Sequence, residues 1–115
     1  MSAKKKVLDA LNLGAGGVTV AYGYTKRTMP YIVFNLVSNV GKRLSNKRHS
    51  QTTRWQIDYY SSVQLDVQSS RPLVLLQDAL EENRLITNEW VEVLEVDEKT
   101  EIAIWRYLLE VTVHG

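Results

Sequence analysis

His49 and His114 are the only two histidines of the chain, and it has no cysteine. General acid–base and nucleophilic catalysis usually rest on a positioned histidine, cysteine or carboxylate pair, so the chemical inventory is thin. His49 lies in a run of basic residues and His114 is penultimate; both read as solvated surface side chains, and neither has metal-ligand spacing. The carboxylates gather at Glu81-Glu82 and between Glu89 and Glu101, on the expected solvent faces of a helix and a hairpin. There they serve solubility rather than proton transfer. Gly41-Lys42 looks like the end of a phosphate-binding loop, but that pattern needs glycine at position 36 and Ser or Thr at 43, where Leu36 and Arg43 stand. Gly14-Ala15-Gly16-Gly17 follows a helix instead of joining a strand to one, which makes it a turn and not a nucleotide fingerprint. These residues predict no catalysis, no cofactor and no metal.

The charged residues carry more information. From Gly41 to Arg54, five of fourteen residues are Lys or Arg (Lys42, Arg43, Lys47, Arg48 and Arg54), with His49 among them. Such a run attracts phosphates without reading base sequence, and it holds no aromatic residue on which a base could stack. The net charge of +1 hides an uneven distribution. Residues 1–54 hold ten Lys/Arg against one acid, Asp9, whereas the remainder holds four against twelve, so the halves carry +9 and −8. Oppositely charged halves suit head-to-tail self-association or stacking between unlike partners.

The elements that must position these charges follow from periodicity. With 115 residues, 44% hydrophobic and 23% charged, the chain has the size and composition of one globular domain and not of a disordered tract. Lys4-Lys5-Lys6 precedes an apolar stretch, but Asp9 and Asn12 interrupt it, and no run approaches the ~20 apolar residues of a membrane span. A soluble, unexported protein without a membrane partner is expected. Ala3 to Leu13 has the spacing of a short amphipathic helix with Ser2 as N-cap, ended by the glycines that follow. Val18, Val20, Tyr22 and Tyr24 alternate as in a strand, and Tyr31 to Val40 is a second, longer one. Gly41 to Thr53 is polar and reads as a long loop. Arg54 to Val63 resumes strand chemistry, with Trp55, Ile57, Tyr59 and Ser61 facing the core. Ser69 or Ser70 caps a principal helix that has Pro72 in its first turn and runs to about Leu85. Trp90 to Val96 and Ile102 to Val113 make a closing hairpin around Asp97-Glu98-Lys99-Thr100. In its last strand the apolar row Ala103, Trp105, Tyr107, Leu109, Val111 and Val113 forms the centre of the core. One apolar helix side packed on a sheet face makes a two-layer α+β domain.

The order of these segments resembles the tail-completion proteins of long-tailed bacteriophages, the tail terminators and tail-to-head joining proteins. The resemblance is carried by Met29-Pro30-Tyr31-Ile32-Val33-Phe34-Asn35-Leu36-Val37-Ser38, a polar loop, Trp55-Gln56-Ile57-Asp58-Tyr59-Tyr60-Ser61, a helix, and an acidic hairpin bearing Trp105-Arg106-Tyr107. It covers about Val18 to Val113, and its most telling piece is Gln56-x-Asp58-x-Tyr60-Ser61 after the polar loop. It implies an α+β fold with a mostly antiparallel sheet packed on helices. It also implies a virion protein, made in the host bacterial cytoplasm, that is often monomeric alone and forms a hexameric ring on the tail. Its partners would be its own copies, the tail tube protein and the head connector or head-completion protein, with passing DNA close by. The basic loop (Lys42, Arg43, Lys47, Arg48, His49, Arg54) aligns with the family's variable loop; on electrostatic grounds it is expected at the head-facing rim, because a strongly positive lumen would retard DNA. It is expected to meet the acidic hairpin of the next copy, through Glu89, Glu92, Glu95, Asp97, Glu98 and Glu101. The rival expectation is a small non-specific nucleic-acid-binding domain acting through the basic half.

Overall fold

The computed structural model describes residues 2–25, 27–44 and 47–114, and from 41 to 50 their backbone only. The first helix, α1 (Ala3–Gly14), starts where Ser2 Oγ accepts a hydrogen bond from the Lys5 amide at 3.2 Å. It buries Val7, Ala10 and Leu11. Gly16 and Gly17, both at positive φ, turn the chain into β1 (Thr19–Tyr22). This strand stops short of Tyr24 because Gly23, at φ 83, breaks the extended backbone.

The next two strands are far longer than their apolar patterns. β2 (Tyr31–Leu44) and β3 (Lys47–Ser61) form one antiparallel hairpin paired from Tyr31↔Tyr60 to Leu44↔Lys47. The expectation of a long loop over Gly41 to Thr53 is therefore wrong. Cross-strand hydrogen bonds need only backbone groups, so a ladder begun by the apolar strands continues through a run of polar residues. Two register shifts interrupt it, between Leu36 and Ser38 and between Lys42 and Arg43.

The second helix, α2 (Arg71–Glu82), follows Ser70, whose hydroxyl does not cap it but accepts from the Asp66 amide at 2.7 Å. The helix ends before Leu85, since Arg84 takes a left-handed φ of 64 and Asn83 Nδ2 donates to the Ala79 carbonyl at 2.7 Å. Then come the short β4 (Ile86–Thr87), absent from the sequence pattern, β5 (Val91–Val96) and β6 (Ala103–His114). The sheet order is β1-β2-β3-β6-β4, with β5 also on β6; only β1 against β2 is parallel. The molecule is α+β, a mostly antiparallel sheet with two helices on one face.

That face holds the core. Ile32, Phe34, Trp55, Ile57, Tyr59, Tyr107, Leu109, Val111 and Val113 are buried with Val7, Leu11, Leu73, Leu76 and Leu80 of the helices. The expected rows on β3 and β6 are thus the core rows, except that Ala103 and Trp105 are only partly buried. The helices cross closely at Gly14, where an added Cβ would lie 2.8 Å from the Leu75 carbonyl oxygen and 2.9 Å from Ala79 Cβ.

Candidate assembly surface

The β2–β3 hairpin outruns its neighbours. β1 covers β2 only from Tyr31 to Phe34, and β6 covers β3 only from Thr52 to Ser61. From Gly41↔Gln51 outward the chain is a two-stranded ribbon flanked by no other described strand. This arm explains an elongated molecule of 56 × 29 × 22 Å with a radius of gyration of 15.5 Å, against about 13 Å for a compact domain of this length. Lys42, Arg43, Lys47, Arg48 and His49 all lie on the arm; their side chains are outside the described residues.

Strand direction puts the acidic hairpin at the other end. β3 runs from the arm to Ser61, which pairs with Trp105, and the β5–β6 hairpin continues past that point to Val96↔Ala103 and its turn. About 14 residues of β3 separate the two ends, roughly 45 Å at ~3.3 Å per residue. Asp97, Glu98 and Glu101 are exposed at the tip, where Asp97 Oδ1 accepts from the amides of Lys99 and Thr100 at 2.9 and 3.3 Å. Glu92 and Glu95 lie along β5, Glu92 accepting from Gln64 Nε2 at 3.3 Å. Glu89 sits apart, in the β4–β5 connection beside the middle of β6, where the Asn88 amide donates to the Glu110 carbonyl. Within one molecule, then, the basic arm cannot meet the acidic hairpin.

Arg54 is also separate from the arm residues with which its charge groups it. It pairs with Thr112 within the sheet, and its Nε and NH2 reach the Glu110 carboxylate at 2.8 and 2.9 Å. This bidentate bond holds the Glu110 carboxyl below its usual range and raises the Arg54 guanidinium.

The bridge lies on the sheet face away from the helices, where further charge has collected. Asp58, 3% exposed, accepts from Gln56 Nε2 at 3.0 Å and lies 3.4 Å from Arg106 NH2, while Arg106 NH1 reaches Glu95 at 3.3 Å. Burial lowers the Arg106 pKa, but Asp58, Tyr60 and Glu95 together outweigh it, and the net shift is upward. The buried Arg106 Nε has no hydrogen-bond partner among the described residues. Tyr60 stacks on Tyr31 at 4.8 Å, and burial raises both phenol pKa values. Beside them Gly23, Tyr24, Asn35 and Asp58 line a cleft of about 120 Å³. Residue types alone missed this network. Its one signal was Asp58 in the Gln-x-Asp-x-Tyr-Ser segment, the only charged residue from Trp55 to Ser61.

Nothing described here gathers a reactive constellation. His114 Nδ1 lies 3.1 Å from Thr52 Oγ1 at the base of the arm. Among the described residues no group of three His, Cys, Asp or Glu could hold a metal ion, and no helix is long and apolar enough to cross a membrane.

What the molecule presents is an α+β domain with a basic arm at one end of its sheet and an acidic hairpin at the other. No protein-family model matches the chain, and no curated protein matches it. Among solved structures it is similar to a chain of the "Virion of native gene transfer agent (GTA) particle", at 10% identity and a TM-score of 0.48, over 99% of this chain and 96% of that one.

Proposed function

We propose that residues 1–115 act as one virion structural domain, a ring-forming component at the head-proximal end of a phage tail that terminates the tail tube or joins it to the head connector. The observation that carries this reading is the basic arm and the acidic hairpin at opposite ends of one sheet. A molecule charged in this way cannot satisfy both ends by folding on itself, but it can by placing its arm against the hairpin of another copy. Such a contact is heterologous and closes into a ring when its rotation closes. The sequence resemblance to tail-completion proteins supplies the setting: a hexamer, the tail tube protein on one side, the head connector on the other, and DNA passing through. Lys42, Arg43, Lys47, Arg48 and His49 would act at one side of the contact, and Glu92, Glu95, Asp97, Glu98 and Glu101 at the other. No catalytic step and no cofactor enter this reading. Electron microscopy of particles from a phage whose copy of the gene is disrupted tests it. Filled heads beside unattached tails are expected, overlong tails marking a terminator and normal tails a joining protein; intact particles would overturn the reading.

A second reading is favoured by the form of the arm. A two-stranded ribbon fits the major groove of DNA, and four Lys/Arg lie on this one. A non-specific nucleic-acid-binding domain would then give micromolar binding in a gel-shift titration, with a steep loss as salt rises.

A further inference from the structure

The sheet has two open backbone edges on opposite sides. β5 is flanked on its inner side by β6 and, among the described residues, by no strand on its outer side. Edges of this kind are normally blunted by charged side chains, above all lysine, by proline or by a bulge; β5, Val91-Glu92-Val93-Leu94-Glu95-Val96, has no lysine, proline or bulge, and its only charges are Glu92 and Glu95. Val91, Leu94 and Val96 are 54, 50 and 57% exposed. Across the sheet, β1 leaves β2 beyond Phe34 without a described partner on its outer side. After the register shift at Val37, β2 runs regularly from Ser38 to Lys42, and Val40 is 65% exposed.

Charge and direction match as well. β5 carries Glu92, with Glu89 just ahead of it, whereas this stretch of β2 leads into Lys42 and Arg43; antiparallel pairing brings that end of β2 to the start of β5. Each of the three steps from β2 to β3 to β6 to β5 is antiparallel, so β5 runs opposite to β2. In a neighbour of like orientation the two edges therefore meet in the antiparallel sense.

We infer that copies of this chain join by strand addition, the outer edge of β5 in one copy pairing antiparallel with the open edge of β2 in the next. The inference rests on the ring reading above and narrows its contact to the strands, setting the arm beside Glu89 and Glu92 at the start of β5 and not beside the turn at Asp97 to Glu101. It also sets a geometry. Val91 is level, through Leu108 and Asp58, with Val33, while six β2 residues beyond Phe34 end at Val40, which pairs with Thr52. The neighbour must slide toward the arm by six residues of β3 or more, at least about 20 Å at ~3.3 Å per residue. A ring accumulates no rise, so its strands must lean steeply from the ring axis; without that lean the same contact makes an open helix.

The absence of cysteine makes the test direct. Val93 lies on the sheet face away from the helices, as do positions 38, 40 and 42 by register. Chains carrying Val93→Cys with Ser38→Cys, Val40→Cys or Lys42→Cys are oxidised both as concentrated purified protein and within phage particles. A ladder of covalent oligomers is expected for at least one pair. None is expected for Val93→Cys with Asn39→Cys, on the opposite face, and the ladder should disappear when Leu94→Lys and Val96→Lys are added. Absence of a ladder in both settings would overturn the inference, as would a ladder equally strong with Asn39→Cys. If particles contain the protein and depend on it yet show no ladder, strand addition fails and the ring reading stands; if disruption leaves particles intact, the ring reading itself fails.

Discussion

Three contacts at the residue scale have consequences out of proportion to their size. Glu110 owes its lowered carboxyl pKa first to the hydrogen bond from Arg54. The folded value lies below the ordinary one, so the stabilisation is present above the usual glutamate range and is lost as pH falls through the depressed value. Arg54→Ala should return the Glu110 titration toward an ordinary glutamate, observed by NMR of its side-chain carboxyl; an unmoved midpoint would remove Arg54 as the cause. Tyr107 is fully buried, and its hydroxyl both accepts from the Leu65 amide at 2.6 Å and donates to the Leu65 carbonyl at 3.1 Å. Tyr107→Phe leaves that backbone without its partner and should cost about 1–3 kcal/mol in chemical denaturation. Gly14→Ala sets a methyl against a backbone oxygen and the short Ala79 side chain, neither of which can swing away. A loss of about 1–3 kcal/mol is expected in the same measurement, the usual cost of overpacking.

At the scale of the element, the arm is the part whose form departs most from its residue types. In the described part of this strand pair the buried residues run from Ile32 to Phe34 and from Trp55 to Ser61. The ribbon beyond Gly41↔Gln51 lies outside that core. Replacing residues 42–50 by an Asn-Gly turn, which suits a two-residue hairpin, should leave the thermal midpoint unchanged in calorimetry. The same replacement should abolish particle assembly, because it removes four of the positive charges and part of the open β2 edge. A lowered midpoint would give the arm a role in stability that its position does not suggest.

The whole molecule behaves as an extended object with unlike ends. Exposed charges interact over about one Debye length, ~8 Å at physiological salt, so the proposed contact between the arm of one copy and the hairpin strand of the next would act only at close range and weaken with added salt. Lys47→Glu with Arg48→Glu should reduce the yield of joined particles, counted by electron microscopy, and reversing Glu92 and Glu95 of β5 to lysine in the same chain should restore part of it. Unchanged yield in the first variant would count against a charged contact between copies.

The amino-acid pattern alone determined much of this. The capped first helix, the apolar rows of Trp55 to Ser61 and of Tyr107 to Val113, the helix after Pro72 and the α+β class are all written in local periodicity, because burial selects side chains at fixed spacing. The opposition of charge between the halves is equally plain in the residues. The arm was not, since a backbone ladder needs no apolar period in the residues that carry it; the polar run looked like a loop. Two-residue β4 was invisible because it is too short to have a period. Only the tertiary structure decided that Arg54 is tied to Glu110 and not to the arm, that Asp58 is buried beside Arg106, and that the arm and the acidic hairpin lie at opposite ends. Each depends on which strands become neighbours and in which register, and residues 56 or 48 positions apart in the chain meet only once that pairing is made.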